Sequence, residues 1–280
     1  MTQDDPSLDR LRRDIDRIDD RIHDLIMERE ALVERIAAAK AETGVPLRPG
    51  REAQVLRRLA GRHTGSFPLA ALVRIWREIM GALVGLQRPF SIACYQPERG
   101  AGYVELARNH FGVSWPLTAQ QSAGEVVRLV SDGQASVGVV PIPAAAETTS
   151  WWLSLTSDAE NIPRVVARLP FLASDRSEPL EALVVACRPH DETGEDRTLV
   201  AVETVPDVSR DRMRALLGAV GIEATSQQIA THRAEGFWLH LVEVEGHLAA
   251  GDTRLDRLAA GGDPVHQTRV IGGYAVPLQP

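Results

Sequence analysis

One uninterrupted helical pattern near the amino terminus constrains the fold most strongly. Residues 8–42 contain no proline or glycine, and their apolar side chains recur every three, four or seven residues, at Leu11, Ile15, Ile18, Ile22, Leu25, Leu32 and Ile36. This spacing places them on one face of a single α-helix, which Ser7 would cap and Gly44 with Pro46 would end. Roughly 35 residues of helix extend about 50 Å, more than a small domain needs. We therefore expect a partner helix, from a second copy of the chain, to cover the apolar face.

Basic side chains interrupt this apolar face. Arg29 and Lys40 each follow an apolar member of the face by four residues, and Arg12 adjoins its first member. Lys40 is also the only lysine among the 31 basic residues. A cation on a packed helix face costs several kcal/mol, unless its long stem carries the charge to water or acidic side chains of a partner helix neutralise it. Arg29 and Lys40 together favour a third interpretation, a site for a dianionic small molecule, because arginine offers a two-pronged donor to a carboxylate and lysine a point donor.

The rest of the chain divides into units of different character. Two shorter helices are expected at about 51–62 and 68–87, and they complete an all-α helical unit over residues 1–90. Short buried strands then alternate with helices, which indicates an α/β unit over residues 91–190. The charged segment 188–197 is interpreted as a linker, and residues 195–280 follow a β-α-β-β-α-β order, typical of α+β ferredoxin-like domains. We therefore predict a multidomain chain.

Composition and charge argue against several classes of function. The formal net charge of −7 disfavours a nucleic-acid-binding protein. The chain has no apolar run of about 18 residues, and its start is polar and acidic, so neither a membrane span nor a secretory signal is expected. Cys94 and Cys187 are too few for a disulfide framework or a zinc site, and His232, His240 and His247 lack metal-ligand spacing. We expect buried thiols, a cytoplasmic location and no metal.

The helical unit carries a set of residues whose spacing points to a known family. Together with the apolar face, these residues are Leu11-Arg12, Arg29, Ala39-Lys40, Pro46, Arg51-Glu52 and Gln87. Over residues 7–88 this pattern resembles the all-helical class of chorismate mutase. The resemblance implies an intertwined homodimer, or a higher homo-oligomer, in which each active site takes one arginine from the other subunit. The substrate would be chorismate, and no cofactor would be needed.

The resemblance also assigns roles to individual side chains. It implies that Arg29 and Arg12 of the partner subunit grip the two carboxylates of chorismate. Lys40 and Gln87 would hydrogen-bond the ether oxygen, and Glu52 would hold the ring hydroxyl. These roles suit a unimolecular rearrangement, because the enzyme need only hold the compact conformer and stabilise negative charge on the ether oxygen.

Three positions near these residues add detail. The resemblance places Arg51 close to the substrate. Pro49 or Gly50 stands where many family members carry an aspartate, and Leu83 replaces a common small hydroxyl residue that helps to bind a carboxylate. Both departures would weaken substrate binding, but neither affects the donors to the ether oxygen.

Residues 91–280 resemble prephenate dehydratase joined to a regulatory ACT domain. The resemblance is carried by residues 126–142 with Gly138-Val139-Val140-Pro141-Ile142, by Gly246-His247 and by Ile271-Gly272-Gly273-Tyr274. The residues that carry the chemistry differ, however. Pro143-Ala144-Ala145 stands where the family has Glu-Asn-Ser, and Leu180-Glu181-Ala182 where it has Thr-Arg-Phe. The ACT ligand signatures are also altered, at 206–209 and 230–233. We therefore expect the dehydratase-like unit to be inactive.

The sequence thus predicts a chorismate mutase that forms prephenate in aromatic amino-acid biosynthesis, with a C-terminal half that serves oligomerisation or regulation. One alternative is a bifunctional enzyme that takes chorismate to phenylpyruvate. Another is a non-catalytic small-molecule sensor or partner-binding protein. Pyruvate elimination from isochorismate on the same helical scaffold is a third. Trp151-Trp152 is interpreted mainly as core packing, and otherwise as the lining of a ligand cleft or an interface.

Overall fold

The computed structural model of the chain describes residues 6–39, 47–85, 89–98, 100–143, 150–157, 159, 161–173 and 180–279. The amino-terminal part is helical, with α1 at Pro6–Ala39, α2 at Pro49–Ala60 and α3 at Leu69–Gly85. The predicted long helix is confirmed over the residues described. The prediction that Ser7 caps it is wrong, because α1 begins at Pro6 and Ser7 lies within the first turn. The expected helix end at Gly44 and Pro46, together with Lys40 and Gln87, lies outside the described residues.

Strands and helices alternate through the middle of the chain, as the change of period predicts. These elements are β1 (Ile92–Tyr95), α4 (Gly102–Phe111), β2 (Leu117–Gln120), α5 (Ala123–Ser131), β3 (Val137–Pro141), a 3-10 helix (Trp151–Thr156), β4 (Arg164–Leu169) and β5 (Ala182–Ala186). β1 pairs parallel with both β2 and β3, and β5 pairs antiparallel with β3 and β4. Trp151 and Trp152 are both buried in the core beside this sheet, so the packing interpretation of this pair is confirmed.

The last part of the chain has the predicted β-α-β-β-α-β order. Its elements are β6 (Asp196–Thr204), α6 (Arg210–Ala219), β7 (Ala224–Arg233), β8 (Trp238–Glu245), α7 (Thr253–Ala260) and β9 (Val265–Ala275). The nine strands of the described residues form one sheet, in the order β2-β1-β3-β5-β4-β9-β6-β8-β7. β4 and β9 join its two halves where Val165 pairs with Gly272. Gly272 has φ +132°, and a Cβ there would lie 2.2 Å from the Val165 carbonyl oxygen, so only glycine permits this close approach.

The three N-terminal helices differ in how they are buried. α2 and α3 pack on the α/β part of the chain, because Ala53, Leu56 and Met80 share a buried cluster with Phe171. On α1, in contrast, all seven apolar residues of the predicted face are between 48% and 60% exposed. The chain alone therefore leaves the longest helix without cover for its apolar face.

Two further sequence expectations concern cysteines and membranes. Cys94 is buried and Cys187 partly buried, and both thiols are free. Burial raises the pKa of Cys94 to about 12, so this thiol stays protonated and unreactive at neutral pH. Within the described residues, no helix combines the length and the apolar character that a membrane span requires.

Candidate active site

Arg29 lies on the inner side of α1, against α3. Its guanidinium carbon is 5.8 Å from the centre of the Trp76 ring, a distance that permits a cation–π contact. Nη1 of Arg29 is buried, and no residue that the structure describes accepts a hydrogen bond from it. Burial lowers the pKa of Arg29, while the nearby Glu52 carboxylate acts to raise it. A buried cationic donor without an acceptor is costly, so this nitrogen is well suited to an anionic ligand.

Glu52 lies in the first turn of α2 and faces the same region. Its Oε2 accepts a hydrogen bond of 2.6 Å from Nη1 of Arg77, and both side chains are nearly inaccessible to water. Burial raises the pKa of the Glu52 carboxyl, although Arg77 acts to lower it. The guanidinium of Arg77 also lies over the ring of Phe171, at 5.3 Å from the ring centre. A second arginine, Arg77, therefore fixes the Glu52 carboxylate, which also acts on the pKa of Arg29.

The sequence-predicted site residues are only partly brought together within one chain. Glu52 lies close enough to Arg29 for its carboxylate to act on the pKa of that arginine. Arg51 is exposed, and Arg12 is exposed and pairs with Asp9 of its own helix at 3.3 Å. Because 17 residues of straight helix separate Arg12 from Arg29, the two lie about 25 Å apart along α1. Arg12 therefore cannot meet the same small ligand as Arg29 of its own chain.

The start of α2 is held in place by the segment that was interpreted as a linker. Oδ2 of Asp191 accepts a 3.1 Å hydrogen bond from the Gly50 backbone N–H, while Oδ1 pairs with Arg188 at 2.8 Å. Arg188 in turn donates to the Leu47 carbonyl. A Cβ on Gly50 would lie 2.4 Å from Cβ of Asp191, so glycine is required for this close contact. Asp191 thus places a carboxylate at the start of α2. This is the place where the sequence lacks the aspartate that many members of the resembled family carry.

Arg57 makes a second connection from α2 to the same part of the chain. Its guanidinium donates to the Thr193 hydroxyl at 2.8 Å, to the Glu195 carbonyl at 2.7 Å and to the Val276 carbonyl at 2.9 Å. Three such charge-assisted bonds, together with the Asp191 contact, fix the position and rotation of α2. These contacts therefore also fix the direction in which the Glu52 side chain points.

The dehydratase-like region contains a cation that sequence reasoning missed. Arg168 on β4 donates three hydrogen bonds to Glu181, of 3.1 Å from Nε and of 2.8 and 2.9 Å from Nη2, and a fourth of 2.9 Å to the Tyr274 hydroxyl. Tyr274 donates to the buried carboxylate of Glu243. Although burial acts to lower the pKa of Arg168, these partners raise it overall. Glu181 therefore carries a negative charge where the resembled family has an arginine. Arg168 on the neighbouring strand neutralises that charge.

Signals for these missed residues are weak in the sequence. Arg77 directly follows Trp76 on α3, next to the apolar face, where arginines are ordinarily exposed. Arg168 contacts Glu181 across the pair of β4 and β5, and it contacts Tyr274, which is distant in the chain. Asp191 contacts Gly50, which is also distant in the chain. For metals, the described residues contain no group of three or more histidine, cysteine, aspartate or glutamate side chains that could hold an ion.

Comparison with known proteins identifies the helical part. Residues 11–88 match the family model described as "Chorismate mutase type II". Two curated relatives are described as "Bifunctional chorismate mutase/prephenate dehydratase". The protein from Stutzerimonas stutzeri is 36% identical over 143 residues, which cover 49% of this chain and 39% of the relative. The protein from Pseudomonas aeruginosa is 33% identical over 150 residues, which cover 51% and 41%. This chain thus matches about two fifths of the length of these relatives.

Solved structures give a weaker likeness. An X-ray structure of prephenate dehydratase from Streptococcus mutans has a TM-score of 0.46 and 16% identity, and the match covers 68% of this chain and 100% of that one. A structure described as a novel type of quorum quenching acylase, GqqA, also scores 0.46, at 18% identity, and covers 66% and 94%. TM-scores below 0.5 assign neither a fold nor an activity. The family match over residues 11–88 shows a helical chorismate mutase type II domain, and a mixed α/β part follows it.

Proposed function

We propose that this chain is a chorismate mutase that rearranges chorismate to prephenate, in a site completed by a second copy of the chain. The observation that carries the proposal is the buried, unpartnered Nη1 of Arg29 beside Trp76 and Glu52, within the segment that matches the mutase family. A guanidinium in this setting is ready to receive one carboxylate of a dianionic substrate.

The chemistry requires only positioning and electrostatics. Arg29 binds one carboxylate and Arg12 of the partner subunit the other, while Glu52 accepts a hydrogen bond from the ring hydroxyl. Lys40 and Gln87 donate to the ether oxygen, on which negative charge grows as the C–O bond stretches. A rate gain of about 10⁶ corresponds to about 8 kcal/mol of transition-state stabilisation, which preorganised donors in a dry pocket can provide. No nucleophile, metal or cofactor takes part in this mechanism.

A second copy of the chain supplies two things in this proposal. It covers the apolar face of α1, which the single chain leaves about half exposed. It also brings Arg12 to a site that this residue cannot reach within its own chain. Two such helices packed against each other would bury a continuous apolar seam, which is the usual way to stabilise a helix of this length.

The C-terminal half is proposed to be regulatory rather than catalytic. We assign residues 91–190 to a dehydratase-like domain and residues 195–280 to an ACT-like domain, supported by the β-α-β-β-α-β order of the latter. Prephenate dehydration needs a proton donor and a free cation for the carboxylates. Arg168 contacts Glu181 of the altered motif, and Glu181 already accepts hydrogen bonds from its Nε and Nη2. The proposal places the whole protein in a reducing cytoplasm.

A bifunctional mutase and dehydratase is the second candidate. It is favoured by the description of the curated relatives, which carry both activities in their names. It differs from the first proposal in one product, because the dehydratase converts prephenate to phenylpyruvate.

The deciding experiment is incubation of the intact protein with chorismate, with separate measurement of prephenate and phenylpyruvate and without added acid, which would convert one into the other. We expect chorismate to disappear with one equivalent of prephenate and no phenylpyruvate. Phenylpyruvate above the protein-free control would establish the bifunctional alternative. No consumption above that control would contradict both and favour a non-catalytic sensor.

A further inference from the structure

A cavity of about 160 Å³ lies between α3, α4 and the segment that follows β4. Its walls are formed by Ala70, Val73, Arg74, Arg77, Leu106, Asn109, His110, Pro170, Phe171 and Leu172. We propose that this cavity binds a small carboxylate with a compact apolar body about the size of a benzene ring. The site is distinct from the proposed mutase pocket, because none of the described side chains proposed to contact chorismate lines it, and Arg77 connects the two by its hydrogen bond to Glu52.

The charges around the cavity favour an anion. Arg74 and Arg77 contribute two guanidinium groups, Asn109 contributes an amide, and none of the residues that line the cavity is acidic. Burial, and then Arg77, keeps the pKa of His110 well below its usual value, so this imidazole is neutral and can act as a hydrogen-bond partner. The pair with Glu52 engages one of the five N–H groups of Arg77, which leaves donors for a second carboxylate.

The size and the apolar walls of the cavity indicate what the uncharged part of the ligand is. The cavity is also lined by the apolar side chains of Val73, Leu106, Phe171 and Leu172. An apolar protein cavity of about 150 Å³ accommodates a benzene molecule. A hydrated inorganic ion would leave these apolar walls without contacts, whereas an aromatic or branched carboxylate would fill the space and place its charge on the arginines.

His110 provides an independent observation that points to a ligand. It is 7% exposed, and its Nε2 is buried without a hydrogen-bond partner among the described residues. Native structures rarely leave a buried polar atom unsatisfied, and a binding site is a recognised reason for one. The same side chain lines both this cavity and a smaller one next to Glu52.

Occupancy of the cavity would be coupled to Glu52. A carboxylate on Arg77 shares this guanidinium with Glu52, and so it weakens the hold of Arg77 on the Glu52 side chain. Coupling of this kind is reciprocal, so a ligand in the mutase pocket that engages Glu52 would change the affinity of the cavity by the same factor. Binding itself does not depend on mutase activity, and the proposal therefore stands apart from the proposed function.

The test is calorimetric titration of the intact protein with benzoate, compared with benzamide, its neutral analogue, and with acetate, which lacks the apolar body. We expect saturable binding of benzoate, with at least about tenfold weaker binding of the other two ligands. Benzamide lacks the negative charge, and acetate lacks the apolar body. Asn109→Asp and Arg74→Gln alter exposed side chains at the mouth of the cavity and should each weaken benzoate about tenfold. Arg58→Gln, an equally exposed change on α2 away from the cavity, should leave the affinity unchanged.

Several results would overturn the proposal. These are the absence of benzoate binding at millimolar concentration, equal affinity for benzamide or acetate, and unchanged benzoate affinity in Asn109→Asp. Far-ultraviolet circular dichroism of each variant shows that the protein is folded, so that a loss of binding reports on the cavity.

Discussion

Glu52 and Arg77 form an ion pair at the start of α2 where neither side chain has appreciable access to water. Desolvation raises the pKa of the acid and lowers that of the base, so each group depends on the other to remain charged. Buried pairs of this kind add little net stability, but removal of one partner leaves an uncompensated charge. Their role here is to hold Glu52 in one orientation.

Arg77→Met tests this dependence. We expect it to lower the free energy of unfolding by about 3–5 kcal/mol, because Glu52 stays buried without its donor. Chemical denaturation with urea measures the loss. The double variant Glu52→Met/Arg77→Met should recover most of it, since apolar side chains of similar volume then fill the space. Arg74→Met, an exposed change three residues earlier, should cost less than about 0.5 kcal/mol, and an equal cost in Arg77→Met would contradict the account.

Individual residues were predictable from the sequence only where the pattern itself was broken. Arg29 stands within an apolar face at helical spacing, so its special environment could be predicted, and the structure places it against Trp76. Arg77 breaks no pattern, and its burial results from Phe171, which lies almost a hundred residues later. Pairings between distant segments leave no local signal, because hydrophobic periodicity reports only on the element in which it occurs.

Among the elements, α1 is the one that hydrophobic periodicity predicts most clearly. It is also the element whose apolar face the single chain leaves exposed. Its apolar residues were predicted to need a partner, and in the chain alone they remain exposed. An exposed apolar face of this length indicates an interaction surface. The mutase proposal assigns this surface to a second copy of the same chain.

Ile22→Asp tests that assignment at the middle of α1. We expect the wild-type protein to be a dimer or larger oligomer, and the variant to dissociate, because a buried unpaired carboxylate costs several kcal/mol. Light scattering coupled to gel filtration measures the mass. Arg13→Gln makes the same change of charge on the opposite side of α1 and should leave the mass unchanged. A monomeric wild-type protein would contradict the dimer.

At the start of α2, Asp191 acts as an N-terminal cap from outside the helix. Asp191→Ala should reduce the free energy of unfolding by about 1 kcal/mol, because the Gly50 N–H loses its acceptor and Arg188 loses its ion pair. Urea denaturation compared with Glu192→Ala, an exposed neighbour, measures the effect. Equal stabilities of the two variants would show that the carboxylate does not hold α2.

Strands were predictable where they are buried and apolar. Residues 137–141 and 182–186 form uniformly buried strands, as their valine-rich sequences indicate. β2, in contrast, is an edge strand of four residues whose side chains are exposed or only partly buried, and the apolar–polar alternation of Leu117-Thr118-Ala119-Gln120 spans only two repeats and does not match its burial. β-propensity depends strongly on neighbours, so an edge strand of this kind has little signal of its own.

For the whole molecule, the sequence predicts the units but not the way in which they join. A single sheet runs through β4 and β9, and segment 188–197, which was interpreted as a linker, carries the polar contacts to α2. Charge in a connecting segment ordinarily indicates solvent exposure. Here the charges of Arg188 and Asp191 satisfy groups at the helix end instead. The spatial partner of a charge is a property of the tertiary fold.

Three buried histidines make the stability of the whole chain depend on pH, since burial also keeps the pKa of His110 well below its usual value. Burial lowers the pKa of His240 to about 4, with Arg233 contributing, and burial together with His247 lowers that of His190 to about 4. In the unfolded chain each imidazole has the ordinary value of 6.5. As the pH falls from about 6.5 to about 4, the unfolded state takes up protons that the folded state does not, so stability is lost over this range.

Urea denaturation at pH 7 and at pH 5 measures this effect. We expect a loss of about 1–3 kcal/mol between the two, and a smaller loss in His240→Asn, because one of the three buried imidazoles is removed. His23→Asn changes an exposed histidine on α1 and should retain the full pH dependence. If His240→Asn loses as much stability between pH 7 and pH 5 as the wild-type protein does, the buried imidazole is not responsible.

The central claim is that the cations that interrupt the apolar pattern of the first helix receive a twice-negative substrate, and Lys40→Arg tests it most directly. Chorismate consumption by the intact wild-type protein and by this variant is compared, with circular dichroism and light scattering to establish equal folding and assembly. We expect turnover with formation of prephenate in the wild-type protein and its loss in the variant, because a bulky planar guanidinium cannot replace an ammonium aimed at one oxygen. Absence of turnover in the wild-type protein, or near-normal turnover in Lys40→Arg, would contradict the claim.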